Sequence, residues 1–373
     1  MPIQKGWTGV VAVGLPGTST FATSTNATHI LHCDGYGAVP QGEFFNNRDV
    51  ATGFEEGTGM FVTNSTSRFS LSGPVTDTGL AILNAMCFGA DALTTVDTSC
   101  RQHLTQPLGA ETDLPFVSMY IKYAPMADSS TAGSVKFETV LLDSLTLSGN
   151  AGDVWRWSAN FVASSGTTYT ADHSGLIKPQ TYAFPFYRTQ FVYSTTSPSS
   201  VTANPGASGL VTAADIGGGT GNGWTNVDWS AALSDVSITF NNNVAVLMAG
   251  GATTAAPAYL MRTQRSQSFT VGVHYDMDIA SIRNTLDDAF STTDHYQTGS
   301  FRGASILCKS SEVVGSSYVS MFQYLWPACG VTSKDMEATL GPRKARFTYT
   351  VFSPVSLASV YPYVWNADNN DLM

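Results

Sequence analysis

Charge is scarce in this chain, and positive charge is scarcer still. Only 12% of the 373 residues are Asp, Glu, Lys or Arg, and 18 Lys and Arg stand against 28 acids, a formal net charge of −10. That balance excludes a tight, sequence-blind grip on nucleic acid, which needs cations to displace the counterions condensed on phosphate. It leaves room for DNA as a passenger that must not stick. So low a charged fraction also implies a surface that is neutral-polar or covered by other molecules. Cysteine is sparse too: Cys33, Cys87, Cys100, Cys308 and Cys329 show no CxxC spacing. That scatter argues against a disulfide framework or a zinc site and predicts buried, reduced thiols. Long apolar runs are missing, and none approaches the length of a membrane-spanning helix. The opening 1-MPIQKGWTGVVAVGLPG-17 is broken by Gly and Pro where a signal peptide needs an uninterrupted apolar core. The expected class is a soluble protein made in a cytoplasm.

Arrangements that carry chemistry are also lacking. The stretch 29-HILHCDG-35 gathers His29, His32, Cys33 and Asp34. On a strand, neighbouring side chains leave on opposite faces, and no further ligands follow at a compatible spacing. The glycine run 216-IGGGTGNGW-224 has neither a following Lys-Ser/Thr nor an apolar helix behind it, so it reads as linker and not as a phosphate cradle. There is no GxSxG elbow, and the six histidines have no evident nucleophile beside them. The acids Glu55-Glu56 and Asp287-Asp288 are adjacent pairs that diverge, and Asp276 and Asp278 begin a calcium-type loop without its glycine. These residues predict no enzyme, no metal and no cofactor.

What the chain does contain is β signal. Short runs with period-2 alternation recur: Met60 and Val62, Phe69 and Leu71, Met119 to Tyr123, the stretch 135–149, and 154-VWRWSANFVA-163. In the last of these Trp155, Trp157, Ala159 and Phe161 share one face, which predicts a packed core. One stretch in this half reads as a helix, 77–90, with Leu80, Leu83 and Cys87 forming an apolar stripe beside Ile82 and Met86. The segment 196–228 is rich in Gly, Ser, Thr, Ala and Pro and reads as a linker or long surface loop. After it the pattern restarts. Val236, Ile238 and Phe240 alternate before a polar turn at 241–243, and Phe269, Val271, Val273 and Tyr275 follow on one face. A second helix is expected over 278–290, with Asp278 as N-cap and Ile279, Ile282, Leu286 and Phe290 inward.

The two halves echo one another. Thr63 meets Thr263, Phe69 meets Phe269, Leu71 meets Val271, Ile82 meets Ile282 and Asn84 meets Asn284 at one constant spacing. Farther on the spacing shortens: Ser144 meets Ser333, Leu147 meets Met336 and Gly152 meets Gly341, with Trp157 set against Phe347 and Phe161 against Val351. The order strand, strand, helix, strands is kept, which points to a tandem duplication. The expected organisation is a first domain over 1–195, a linker over 196–228 and a second domain over 229–373. The fold class is mainly β with one helix per domain.

This organisation resembles the tail tube proteins of long-tailed bacteriophages. The resemblance rests on 59-GMFVTNSTSRFSLSGPVTDTGLAILNAMCFGAD-91, where strands lead into a single helix, and on the closing strands in 138-ETVLLDSLTLSGNAGDVWRWSANFVASSG-166. The second half contributes 234-SDVSITFNNNV-244, the Phe269 strand and the second helix. The resemblance implies two β-sandwich-like domains whose sheets close into a barrel on oligomerisation, removing exposed strand edges. Three such chains would supply six domains, a trimeric pseudo-hexameric ring. Stacked rings would form the hollow conduit for DNA ejection in the virion tail. Implied partners are further copies of the chain, a tape measure protein, the tail tip and a head-proximal terminator, with DNA passing unbound. The chain's acids would repel that DNA. The stretch 37–59, with Glu43, Asp49, Glu55 and Glu56, is the candidate contact loop between rings, and 241–257 is its uncharged counterpart. Lys309, Arg343, Lys344 and Arg346 are expected to pair with acids of a neighbouring subunit. Competing readings are another β-rich virion component, such as a decoration or minor tail protein, or an adhesin-like module using Trp155 and Trp157 as a sugar platform.

Overall fold

The computed structural model describes residues 10–18, 20–23, 25–36, 43–46, 60–95, 100–109, 112–123, 134–164, 166–170, 172–177, 183–194, 226–249, 256–274, 302–314, 318–337, 343–353 and 358–366. The chain begins with β1 (Val10–Thr18), β2 (His29–Leu31), β3 (Gly35–Tyr36), β4 (Glu43–Asn46), β5 (Met60–Asn64) and β6 (Ser67–Pro74). Helix α1 (Asp77–Phe88) follows, then β7 (Gly89–Thr95), β8 (Arg101–Pro107), β9 (Phe116–Lys122), β10 (Ser134–Asn150), β11 (Arg156–Ala163) and β12 (Gly166–Thr168). The rest of the chain adds β13 (Thr189–Ser194), β14 (Asn226–Asp228), β15 (Leu233–Asn241), β16 (Val244–Leu247), β17 (Tyr259–Arg262) and β18 (Ser266–His274). It ends with β19 (Arg302–Val314), β20 (Tyr318–Glu337), β21 (Lys344–Val351) and β22 (Tyr361–Asn366). The protein is therefore mainly β, all the strand pairs are antiparallel, and α1 is the one α-helix among the described residues. The expected second helix, with Ile282 and Leu286, lies outside them, as do most of the 196–228 segment and the acids Asp49, Glu55, Glu56, Asp276, Asp278, Asp287 and Asp288.

Alternation decides which side of each strand is dry. Along β6 the residues Ser67, Phe69, Leu71 and Gly73 are buried while Arg68 and Ser70 are exposed, and β11 reads the same way with Trp157, Ala159 and Phe161 inward. Phe69, Leu71, Trp155, Trp157, Phe161, Phe269 and Val271 all belong to one hydrophobic core, which also takes in α1. Each aromatic side chain so buried contributes about 2–3 kcal/mol.

Two strands are long enough to serve two layers. The first part of β10 pairs with β9, which pairs with β1 and through it β2; its second part, Ser144–Asn150, pairs with β15. Likewise β20 pairs first with β19 and β22 and then, from Cys329 to Glu337, with β21. The result is an uninterrupted sheet in the order β3, β6, β11, β10, β15, β18, β21, β20. The apolar sides of this sheet and of the β1–β9 and β13–β19 strands meet in the common core.

The pairings themselves repeat. β1 joins β2 and β9 as β13 joins β14 and β19; β6 joins β3 and β11 as β18 joins β15 and β21. Both long strands carry a β-bulge at the same place, between Leu142 and Ser144 and between Val331 and Ser333. A bulge is a specified feature that bends its strand, so its recurrence marks corresponding structure better than residue identity does. It keeps Ser144 with Ser333 and Leu147 with Met336, because these hold matching partners on β11 and β21. Two matches, Trp157 with Phe347 and Phe161 with Val351, move by two residues. Phe69 faces Phe161 and Phe269 faces Tyr349, so Phe161 corresponds to Tyr349, and Trp157 to Ala345 and not Phe347. A shift of two leaves the inward parity intact, which is why the pattern alone could not detect it. The second set of pairings starts with β13, upstream of the 196–228 segment.

Helix α1 differs from the amphipathic helix expected. All twelve of its residues are buried, because strands β7, β8, β10, β20 and β22 surround it. A helix enclosed on every side can be apolar all round. It ends at Gly89, whose φ of 90° suits only glycine there and whose N–H returns to the Ala85 carbonyl. Its polar groups bond to the later half of the chain. The Ser320 hydroxyl donates to Asp77 Oδ2 at 3.2 Å, Tyr324 Oη donates to Asn84 Oδ1 at 2.6 Å, and Asn242 Nδ2 donates to the Cys87 carbonyl at 3.1 Å.

Candidate functional surface

The residues that could carry chemistry are separated or neutralised. Among the described residues no three His, Cys, Asp or Glu side chains converge on a metal-sized site. His29 points its Nδ1 at the Thr28 hydroxyl, 2.9 Å away, whereas Asp34 pairs with Arg156 of β11. Burial pushes the Cys87 thiol up to about 11 and the Cys308 thiol up to about 12, and raises Cys33 further. Such thiols are poor nucleophiles at neutral pH. The sequence reading missed one buried pair: Asp91 Oδ2 lies 2.8 Å from His103 Nδ1, brought together across the β7–β8 hairpin. Hairpin register was the signal needed, and neither strand has strong alternation.

The aromatic strand is not a sugar platform. Trp155 is wholly buried and Trp157 nearly so. The Trp155 indole N–H donates to Thr189 Oγ1 at 2.8 Å, and its ring meets Phe322 edge-on at 5.3 Å. A ring so enclosed cannot stack on a glycan.

What the structure presents outward is the polar side of the long sheet. Reading across it, one row runs Ser72, Ser158, Thr146, Thr239, Ser268, Thr350. The next runs Arg156, Ser148, Ser237, Thr270, Thr348, Ser333. Neighbouring hydroxyls approach across the strands: Thr146 and Thr239 at 3.5 Å, Thr270 and Thr348 at 3.3 Å, with Asn160 Nδ2 donating to Ser144 Oγ at 2.8 Å. Two arginines on this face are paired with acids. Arg156 pairs with Asp34, and Arg346 pairs with Asp235 at 3.3 Å across Gly272. A Cβ on Gly272 would come within 2.3 Å of Asp235 Oδ2, so glycine is what lets that carboxylate reach over its neighbour strand. Arg346 is thus paired within its own chain. The two described rows of this face consist almost wholly of hydroxyl side chains.

Among the described residues the sheet also has two ends without a partner strand and one finished joint. At the joint, Ser144–Asn150 of β10 pairs with Asp235–Asn241 of β15. β15 sits on β18 as β3 sits on β6, since Asp235 and Val236 face Gly272 and Val271 while Gly35 and Tyr36 face Ser72 and Leu71. β10 sits on β11 as β20 sits on β21. The partner that β10 finds in β15 has no counterpart on β20 from Gly330 to Glu337 among the described residues. The other half, the side of β6 that β3 begins to cover, lies at the opposite end of the sheet.

Comparison with known proteins adds little to this geometry. Neither a family model nor a curated protein matches the chain. The tail tube of SPP1, solved by solid-state NMR and cryo-EM, is a loose structural neighbour. It shares 10% identity over 49% of this chain and 79% of its own, with a TM-score of 0.27. Of the sequence-singled contact residues, Glu43 begins β4 and pairs with Asn64, while Asp49, Glu55 and Glu56 fall outside the described residues.

Proposed function

We propose that this chain is a structural virion protein of the phage tail, a tube subunit that joins copies of itself edge to edge into rings. The observation that carries this reading is the joint within the chain. It is one worked example of how the second part of β10 receives β15, and the two ends of the sheet are the separated halves of the same joint. A head-to-tail contact of this kind closes into a ring when its rotation divides a full turn, and otherwise grows a filament. Closure also removes the open strand edges that invite indiscriminate pairing. With two repeats in each chain, three chains complete a sixfold-like ring. Stacked rings would enclose a passage lined by the hydroxyl face, over which DNA slides because the rows there are hydroxylated and Arg156 and Arg346 are held by acids. In this reading the protein has no catalytic role and no cofactor, and its partners are further copies and the tail's tip, tape measure and terminator proteins.

Electron microscopy with mass measurement of the purified, concentrated protein tests the proposal. Rings of three chains, or tubes built from them, are expected. A species that stays monomeric at every concentration, or one with two-fold contacts, would sink it.

A further inference from the structure

A cleft of about 580 Å³ opens where the end of β8, the β17–β18 corner and the end of β21 meet, lined among others by Leu108, Arg262, Arg265, Gln267, Thr350 and Ser359. Two arginines stand in its wall: Arg262 feels the nearby Asp113 carboxylate, whereas Arg265 is held by neutral acceptors. Arg262 is 8% exposed, and its guanidinium donates to the Gly109 carbonyl at 2.6 Å, the Thr112 carbonyl at 3.0 Å and the Leu108 carbonyl at 3.5 Å. Arg265 donates from Nε to Asn242 Oδ1 and from Nη2 to the Cys87 carbonyl, both at 3.0 Å, and its guanidinium lies 5.2 Å from the centre of the Phe88 ring. Its Nη1 has no acceptor among the described residues. Burial, with Arg262 nearby, pushes Arg265 down to about 10, so the pair is held at a cost that an anion would relieve.

The third group is Gln267. It is 9% exposed, its Nε2 donates to Ser359 Oγ at 2.6 Å, and its Oε1 is buried with no partner. Turned over, the same amide would accept from the Ser359 hydroxyl and offer its NH2 to the cleft, which converts an orphaned acceptor into a donor. Two guanidinium groups and one amide then converge as donors, with the Asp113 carboxylate acting on Arg262 alone of the two arginines.

We propose that this cleft is an oxyanion site, taking a carboxylate or phosphate group between Arg265 and Gln267 with Arg262 behind them. Planar guanidinium donors suit both oxyanions. The source of the group is either an acidic side chain of a second copy or a free anion. Nothing in the argument depends on ring formation, so the site and the tube proposal stand or fall separately.

The test is thermal unfolding of the isolated chain, titrated with glutarate or inorganic phosphate against chloride at matched ionic strength. A saturable stabilisation is expected, about a hundredfold in the unfolding constant at about a hundred times Kd. Gln267→Glu places a carboxylate in the cleft and should abolish the saturable part while retaining the fold. Arg265→Gln should abolish it as well. Glutarate acting at lower concentration than phosphate identifies an acidic side chain as the natural occupant, and the reverse order identifies a free phosphate group. Absence of a saturable response in the natural chain, or an equal response in the chain and Gln267→Glu, overturns the proposal.

Discussion

The joint between β10 and β15 and the open end at β20 share a strand geometry but are finished differently. At the joint the bulge residue is Asp143: its Oδ1 accepts from the Val244 N–H and its carbonyl from the Asn242 N–H, both at 2.7 Å. Asn242 and Arg265 then close over the Cys87 carbonyl in the last turn of α1. At the open end the corresponding bulge residue is Thr332, exposed and bonded only to its own sheet, with Oγ1 donating to the Thr348 carbonyl at 3.3 Å. Ser65 stands where the second repeat has Arg265, two residues ahead of the matching strand position. The difference separates two tasks. A joint made once, within a chain, can be locked by buried polar groups that demand one register. An edge that waits for a partner is better left neutral and hydroxylated, free of groups that would be stranded before assembly.

The comparison breaks most visibly in the core beneath each region. Phe269→Ala should cost about 4 kcal/mol, since Phe269 stacks on Trp326 at 4.3 Å and on Tyr349 at 4.6 Å. Phe69→Ala removes the matching ring, stacked on Phe137 at 4.9 Å and Phe161 at 5.4 Å, and should cost slightly less. Urea unfolding curves measure both; a loss at Phe269 under half that at Phe69 would contradict the correspondence of the two repeats. Next in size is Asn242→Ala. It strands the Leu142 carbonyl and the Arg265 Nε–H together, so a loss of about 3 kcal/mol is expected, with the unfolding transition losing its sharpness if the halves uncouple. The smallest contrast sharpens the comparison best. Asp143→Ala removes the acceptor of the Val244 N–H and should cost about 2 kcal/mol, whereas Thr332→Val at the matching bulge should stay within about 0.5 kcal/mol. Equal costs at the two bulges would show that the joint has no special lock.

Much of the β framework is legible in the chain because inward parity follows from alternation. Phe69, Leu71, Trp157, Phe161, Phe269 and Val271 could be placed on the dry side without coordinates, and the helix at Asp77–Phe88 could be located. Its burial on every face could not, since the enclosing strands β20 and β22 lie far along the sequence. The outward face was hidden in plain view: Ser and Thr at alternate positions look like unremarkable strand polarity until register lines them into rows. The buried Asp91–His103 pair and the Arg262–Arg265–Gln267 cleft depend on which strand ends meet, which no local pattern encodes.

The sequence by itself determined the β-rich class, the dry and wet sides of its clearest strands and the place of α1. These follow from period-2 burial and composition, properties that each short segment carries alone. Only the tertiary structure decided that β10 bends to serve two layers and that β15 crosses onto it. Those choices depend on hydrogen bonds between segments remote in the chain, and a shift of two residues preserves every local preference while changing every partner.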